Sequence, residues 1–195
     1  MSDARERILG RVREALEHRN PVDHPGEFGA WRPEGILPSE PLEAFTMLFT
    51  AAGGEVLRFD SEVGARAWLD DFASAFETVS VGETVRGALC PERPEASPEA
   101  ASMGVSMARC AIAETGSLVL DARDGRRTQL LPPTHLVWVR AADIHATLAG
   151  ALRAMKGDLP SGLGLHSGPS KSADIGQITV KGVHGPGRVI AAILS

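Results

Sequence analysis

Cysteine is scarce in this 195-residue chain: Cys90 and Cys110 are the only two, and they do not form a close-spaced pair. A thiolate-bound iron–sulfur cluster or an all-cysteine zinc centre gathers about four ligands, so the chain's own cysteines supply no such site and no cysteine-ligated cofactor is expected. Cys110 lies in the apolar run Cys110-Ala111-Ile112-Ala113, the setting of a buried structural thiol rather than a reactive one. Aromatic residues make up only 5% of the chain, and Asp+Glu outnumber Lys+Arg 25 to 20, for a net charge of -5. Without a basic block or a stacking platform, nucleic acid is not an expected partner. No apolar run approaches the roughly 18 to 20 residues of a membrane span, and the N-terminus opens on alternating charges instead of a signal-peptide core. A cytoplasmic protein with no membrane span is expected.

Lysine is also rare. Only Lys156, Lys171 and Lys181 interrupt an otherwise all-arginine basic set, and two of the three fall in one short region near the C-terminus. Lysine is a compact charge that binds anions and, when buried, takes part in proton transfer. Chance placement on a solvated surface explains the same clustering.

The hydrophobic content of 43% suits one substantial core, at the usual scale of about 100 to 200 residues per domain. Residues 1–20 read as an amphipathic helix, capped by Ser2 or Asp3, with Ile8, Leu9, Val12, Ala15 and Leu16 on one face. Residues 21–41 are rich in proline and glycine and read as an irregular connector. Residues 42–195 alternate between helical and strand patterns. A helix ends at Gly53-Gly54, a strand covers Glu55 to Phe59, and a helix covers 61–76 with Val63, Ala67, Trp68, Phe72 and Phe76 on one side. A strand follows at Thr78 to Val81. Residues 86–104 read as a loop with a short helix. Cys110–Ala113 and Ser117–Asp121 read as a hairpin turned at Gly116, and Leu136–Arg140 as a strand. Residues 141–155 read as a helix and 157–168 as a glycine-rich connection. Two last strands, at Ile178–Val180 and Val189–Leu194, are turned by Gly182 to Gly187. Successive helix–strand units predict a three-layer α/β/α sandwich with a mixed, largely parallel sheet. Ligands of such sheets bind beyond the carboxyl ends of the strands.

Candidate chemistry concentrates in two segments. Glu114 ends an apolar strand at a tight turn, a position that suits a general base or a nucleophile; it equally suits a carboxylate that caps the turn or pairs with an arginine. The second segment runs Ser167-Gly168-Pro169-Ser170-Lys171-Ser172-Ala173-Asp174-Ile175 and leads on to Gly182-Val183-His184-Gly185-Pro186. Glycine and proline turns of this kind hold polar side chains still. Backbone N–H groups of Gly168, Ser170 and Lys171 at the start of a short helical turn form an anion cradle in one reading and an ordinary serine-rich helix entry in the other. His135 and His184 sit on rigid turns as proton carriers or, for His135, as a hydrogen-bonded structural histidine. No metal-ligand spacing is present. The segment 162–168 reads G-x-G-x-x-x-G, which is neither the dinucleotide fingerprint nor a P-loop.

Taken in order, Gly104-Val105, Ala111-Ile112-Ala113-Glu114-Thr115-Gly116-Ser117, Leu131-Pro132-Pro133-Thr134-His135, Ser167-Gly168-Pro169-Ser170, Ala173-Asp174-Ile175 and Gly182-Val183-His184-Gly185-Pro186 resemble the motif set of the lactate utilisation protein C family. The resemblance covers roughly residues 100–190. It implies a LUD-type domain with a fold like the glucosamine-phosphate deaminase, ribose-phosphate isomerase and CoA-transferase group. It also implies an accessory role, without an iron–sulfur cluster, in oxidising L-lactate to pyruvate beside iron–sulfur partner proteins. Arg109, Gly176 and Gly187 depart from the family pattern. Joined to the residue reading, it suggests a site for a small anionic ligand or partner subunits. Glu114, His184 and Asp174 are its catalytic candidates, and Thr115, Gly116, His135, Ser167, Gly168, Ser170 and Lys171 its binding candidates. The alternative is a stand-alone enzyme of that fold group, related to the isomerases, CoA transferases or formyltetrahydrofolate cyclo-ligase, acting on a phosphorylated or carboxylated small molecule. A homo-oligomer is compatible with either.

Overall fold

Two strands set the architecture, and both are apolar on both faces. In the computed structural model, which describes residues 2–17, 40–173 and 179–195, these are Thr134–Arg140 and Arg188–Leu194. Runs such as Leu136-Val137-Trp138-Val139 and Val189-Ile190-Ala191-Ala192-Ile193 have no polar face to give to water, so they occupy the middle of a parallel sheet covered on both sides.

The chain divides into two units, Met1–Ile36 and Leu37–Ser195. The first contains α1 (Ser2–Glu17), along which Ile8, Val12 and Leu16 recur at helical spacing. The connector expected over 21–41 lies almost wholly outside the described residues. The second unit runs α2 (Pro41–Ala51), β1 (Glu55–Phe59), α3 (Glu62–Ala73), β2 (Val79–Val81), β3 (Met103–Met107), β4 (Cys110–Ile112), β5 (Ser117–Asp121), α4 (Arg126–Leu130), β6 (Thr134–Arg140), β7 (Ile144–His145), α5 (Leu148–Ala154), β8 (Leu163–His166), β9 (Lys171–Ala173), β10 (Thr179–Lys181) and β11 (Arg188–Leu194).

Five strands form the main sheet in the order β1-β11-β6-β3-β2, all parallel. One face packs Leu136, Trp138, Ile190, Ala192 and Leu194 against Ala65, Leu69 and Ala73 of α3 and against Leu89. Trp138 is fully buried there and donates its indole N–H to the Leu89 carbonyl at 3.1 Å. The other face packs Val137, Val139, Val189, Ala191 and Ile193 against Phe45 and Phe49 of α2 and against Ala111, Leu118 and Leu120. Those last residues belong to a second sheet of order β7-β4-β5-β8. Its outer side carries α5, where Ala151 and Met155 meet Cys110, Ile112 and Val119. The sandwich is therefore α/β/α with a small sheet inserted beside α2.

Local signals explain the helices. Pro41 starts α2 at a position where no N–H is needed, and Phe45 and Phe49 stack four residues apart with centroids 5.3 Å apart. The Ser61 hydroxyl accepts from Gly64 N–H at 3.2 Å and caps α3. Val63, expected on the buried side of α3, is 81% exposed; Ala65, Leu69 and Ala73 form the true seam.

Other departures share a cause in small or polar residues. Residues 103–107 form an inner strand buried on both faces, Met103 and Val105 on one and the small Gly104 and Ser106 on the other. A Cβ at Gly104 would stand 2.5 Å from the Thr128 carbonyl oxygen, so α4 can rest on this strand only if the residue is glycine. The helix expected over 141–155 starts late. Ile144 and His145 first pair with β4, and Thr147 then caps α5 by accepting from Gly150 N–H at 3.1 Å. The glycine-rich connection contains β8, which pairs with β5. The two last strands are not partners: β10 pairs with β9, whereas β11 lies between β1 and β6.

Gly116 turns the β4–β5 hairpin with φ 57°, and an added Cβ would lie 2.7 Å from both Leu48 Cβ and Phe49 N of α2. Both the left-handed backbone and the close approach require glycine. Gly116→Ala is expected to destabilise the protein by more than about 1 kcal/mol, read as a lower urea midpoint at unchanged slope; an unchanged midpoint would show that α2 does not press on this turn.

Candidate functional site

Polar residues gather at both ends of the main sheet. At its amino end, the turn after β4 meets the segment after β8. Thr115 Oγ1 lies 2.8 Å from Ser117 Oγ, which lies 2.6 Å from Ser167 Oγ, so three hydroxyls form one chain. Gly168 sits against Ala52 at the end of α2, and Lys171 donates to the Ala52 carbonyl. Lys181 faces Lys171 across the β9–β10 ladder, and both ammonium groups approach Gly53. Two cations at a helix C-terminus complement its partial negative charge. His184 is exposed, and its backbone N–H donates to Ser170 Oγ at 3.4 Å.

Two expectations at this end need correction. Residues 171–173 form a strand, not the start of a helical turn, and the Ser170 N–H is committed to the Pro186 carbonyl at 2.9 Å. The helix-entry cradle is therefore not formed. Glu114 stands beside the hydroxyl chain in sequence, but its Oε1 accepts from Leu148 N–H at 2.7 Å. Leu148 is the first residue of α5, so this carboxylate satisfies a further N–H at the helix N-terminus that Thr147 caps. Asp174 lies outside the described residues, as does Gly176.

His135 is fully buried on β6. Its Nε2 lies 2.9 Å from Ser106 Oγ, while Nδ1 has no partner among the described residues. Burial, with a smaller contribution from the charge of His166, pushes its pKa down to about 3. The His166 ring is 6.2 Å away and is also lowered by burial. Both imidazoles are neutral at physiological pH.

At the carboxyl end the sequence reading named no residue, yet two adjoining clefts of about 440 and 500 Å³ open there. They share Thr84, Met107, Ala108 and Asp143, which follow or end β2, β3 and β6. Buried Asp124 builds the floor by accepting from Thr84 N–H at 2.6 Å and Met107 N–H at 3.1 Å. One cleft is bordered by Arg109 and Arg123, the other by Arg86 and Arg140. Burial favours the neutral form of Asp121, but hydrogen bonds from Arg123 and the charges of Arg123 and Arg109 outweigh it and hold its carboxyl below the usual range. Cys110 also lines this cleft; burial first, then Asp143, pushes its thiol up to about 11, against the opposing charge of Arg109. Among the described residues, no group of three His, Cys, Asp or Glu side chains is placed to hold a metal, and no helix is long and apolar enough to cross a membrane.

The sequence profile of the LUD domain matches residues 95–194, which include both polar segments at the amino end and most of the main sheet. The chain belongs to the LUD domain family. Among curated proteins, a lactate utilization protein C of Bacillus licheniformis is 41% identical over 96 residues, covering 45% of this chain and 40% of its own length. The YkgG protein of Escherichia coli strain K12 is 39% identical over 104 residues, 49% of this chain and 45% of its own. The Bacillus subtilis lactate utilization protein C is 32% identical over 105 residues, 50% of this chain and 44% of its own. The matched region thus spans less than half the length of these relatives. A crystal structure of a DUF162 family protein from Deinococcus radiodurans matches 80% of this chain and 97% of its own, with TM-score 0.59 and 21% identity, and shows the same fold.

Within this LUD domain, the two buried or capping groups make separable predictions. Glu114→Ala should cost about 1 kcal/mol by uncapping α5, while Glu114→Gln, whose amide oxygen still accepts, should cost clearly less; equal losses in urea unfolding would argue against the cap. For His135 the folded pKa of about 3 lies below the ordinary 6.5, so folded protein binds fewer protons than unfolded protein between these values. Its contribution is complete above about pH 6.5 and is lost as the pH falls toward 3. Between pH 7 and 5 the wild type should lose about 1 to 2 kcal/mol more than His135→Gln, measured as the difference of two stability–pH curves; parallel curves would refute it.

Proposed function

We propose that this LUD domain works in L-lactate utilisation as a component without an iron–sulfur cluster, beside partner proteins whose clusters carry the electrons from lactate. The observation that carries this reading is the profile match over residues 95–194 together with relatives named lactate utilization protein C. The cysteines support the division of labour. Cys110 is buried with a raised thiol pKa, and Cys90 alone cannot supply the four ligands a thiolate-bound cluster takes.

In this reading the amino-end surface receives an anionic group. The Thr115–Ser117–Ser167 hydroxyl chain joins the two segments, Gly116 and Gly168 bring their backbone close to α2, and exposed Lys171 and Lys181 approach Gly53 just beyond the end of that helix. A rigid cluster of hydroxyls with two ammonium groups pairs with a carboxylate on a ligand or on a partner subunit. Asp174 follows Ala173 in the sequence and lies outside the described residues. Glu114 holds α5, and through it the turn that positions Thr115.

Cells lacking this protein should fail to grow on L-lactate while growing normally on pyruvate. The wild-type chain should restore growth, and a Lys171→Ala chain with unchanged thermal midpoint should not. Normal growth of the deletion strain on lactate overturns the pathway assignment; full rescue by Lys171→Ala removes the amino-end surface from it.

A further inference from the structure

A single exposed aspartate holds together two arginines that border the carboxyl-end cleft. Asp158 Oδ2 accepts from Arg109 Nη2 at 2.7 Å, and its Oδ1 accepts from Arg123 Nη1 at 3.2 Å. Its side chain is 62% exposed, and it follows Gly157, whose φ is 95°, on the turn that ends α5. The partner on the other side is of a different kind. Asp121 is 1% exposed and accepts from Arg123 N–H at 2.8 Å, from Nε at 2.7 Å and from Nη2 at 2.6 Å. Arg123 is therefore fixed from behind by a carboxylate that cannot leave, whereas in front the two guanidinium groups share one that can.

We infer that the Arg109–Arg123 pair is a binding site for the carboxylate of a small organic acid, and that Asp158 occupies it as a resident competitor. The geometry favours a carboxylate. Arg123 meets both oxygens of Asp158, Nη1 on Oδ1 at 3.2 Å and Nη2 on Oδ2 at 3.5 Å, the planar two-point match that fits a carboxylate, and Arg109 Nη2 adds a bond to Oδ2. An exposed ion pair is weak and readily exchanged. When Asp158 swings out on its turn, both guanidinium groups lose their exposed partner, Arg123 keeps its bonds to buried Asp121, and Asp143 is the other carboxylate lining the cleft. The adjoining cleft of about 440 Å³ then receives the body of the acid. Its wall is apolar at Met107, Ala108 and Met155, and Thr84 and His145 offer hydrogen bonds to a hydroxyl or keto oxygen. This site lies at the opposite end of the sheet from Lys171 and stands whether or not the protein acts on lactate.

Calorimetric titration of the full chain with pyruvate as the probe tests it. Asp158→Asn removes the competing charge and should tighten binding by about two- to fivefold, the effect of one exposed ion pair. Arg109→Gln should abolish binding both alone and combined with Asp158→Asn, at unchanged thermal midpoint. Arg109 is the test residue because Arg123→Gln would strand the buried Asp121. Binding that is no tighter in Asp158→Asn, or binding that survives Arg109→Gln, would each overturn the proposal.

Discussion

The parallel pairing of β6 with β11 is the constraint on which the rest depends. Seven consecutive residue pairs, from Thr134 with Arg188 to Arg140 with Leu194, fix the register. Because side chains alternate along each strand, this register sends Leu136, Trp138, Ile190 and Ala192 to one face and Val137, Val139, Ala191 and Ile193 to the other. A slip of one residue would exchange the two faces and leave α2 and α3 packed against the wrong surfaces. The same pairing determines where loops can emerge. Residues before Thr134 and Arg188 collect at the amino end, as the bonds from Gly187 and Arg188 N–H to the Pro133 carbonyl show. Residues after Met107 and Arg140 collect at the other end, where the clefts open.

The second sheet joins this frame through residues 121–124. Asp124 reaches the ends of β2 and β3, and Asp121 anchors Arg123 while its backbone carbonyl accepts from the Gln129 amide at 2.7 Å. One short turn thus links the hairpin of β4 and β5, the helix α4 and the carboxyl edge of the main sheet. Both carboxylates are almost fully buried, and both are surrounded by donors, which is the condition under which buried charge is tolerated.

What the sequence made legible follows from how local each signal is. Apolar runs betrayed β6 and β11, and Gly116 betrayed its hairpin, because both are properties of adjacent residues. The family resemblance assigns the Glu114 turn and the Ser167 segment to one site, and Ser117 Oγ lies 2.6 Å from Ser167 Oγ. Strand β3 stayed hidden because Gly104 and Ser106 fill one of its two buried faces, sized for the space left by Thr128 and His135, while only Met103 and Val105 mark the other, and periodicity cannot record a neighbour distant in sequence. Glu114 read equally as a reactive carboxylate or as a capping one for the same reason: its partner, Leu148 N–H, belongs to a helix that starts only after β7 has paired. The arginine site was missed because Arg109, Arg123 and Asp158 each resemble ordinary surface charges. The spacing Asp121-Ala122-Arg123 after a buried strand is the one local sign, since an acid two residues before an arginine can hold its guanidinium.

The two ends of the sheet differ in how their polar groups are satisfied, and the difference bears on what each can exchange. At the amino end the hydroxyls bond one another, Ser170 N–H bonds Pro186, and Gly182 N–H bonds the Ser170 carbonyl. A ligand there gains little by displacing such bonds, because every donor it takes leaves a carbonyl or hydroxyl to be satisfied elsewhere. This end is built to present a fixed surface. At the carboxyl end Arg123 has one partner that is buried and one that is exposed, so removing the exposed carboxylate returns it to water at little cost and leaves a guanidinium ready to accept another. The amino end thus offers donors that are fixed by one another, and the carboxyl end a guanidinium whose exposed partner can exchange.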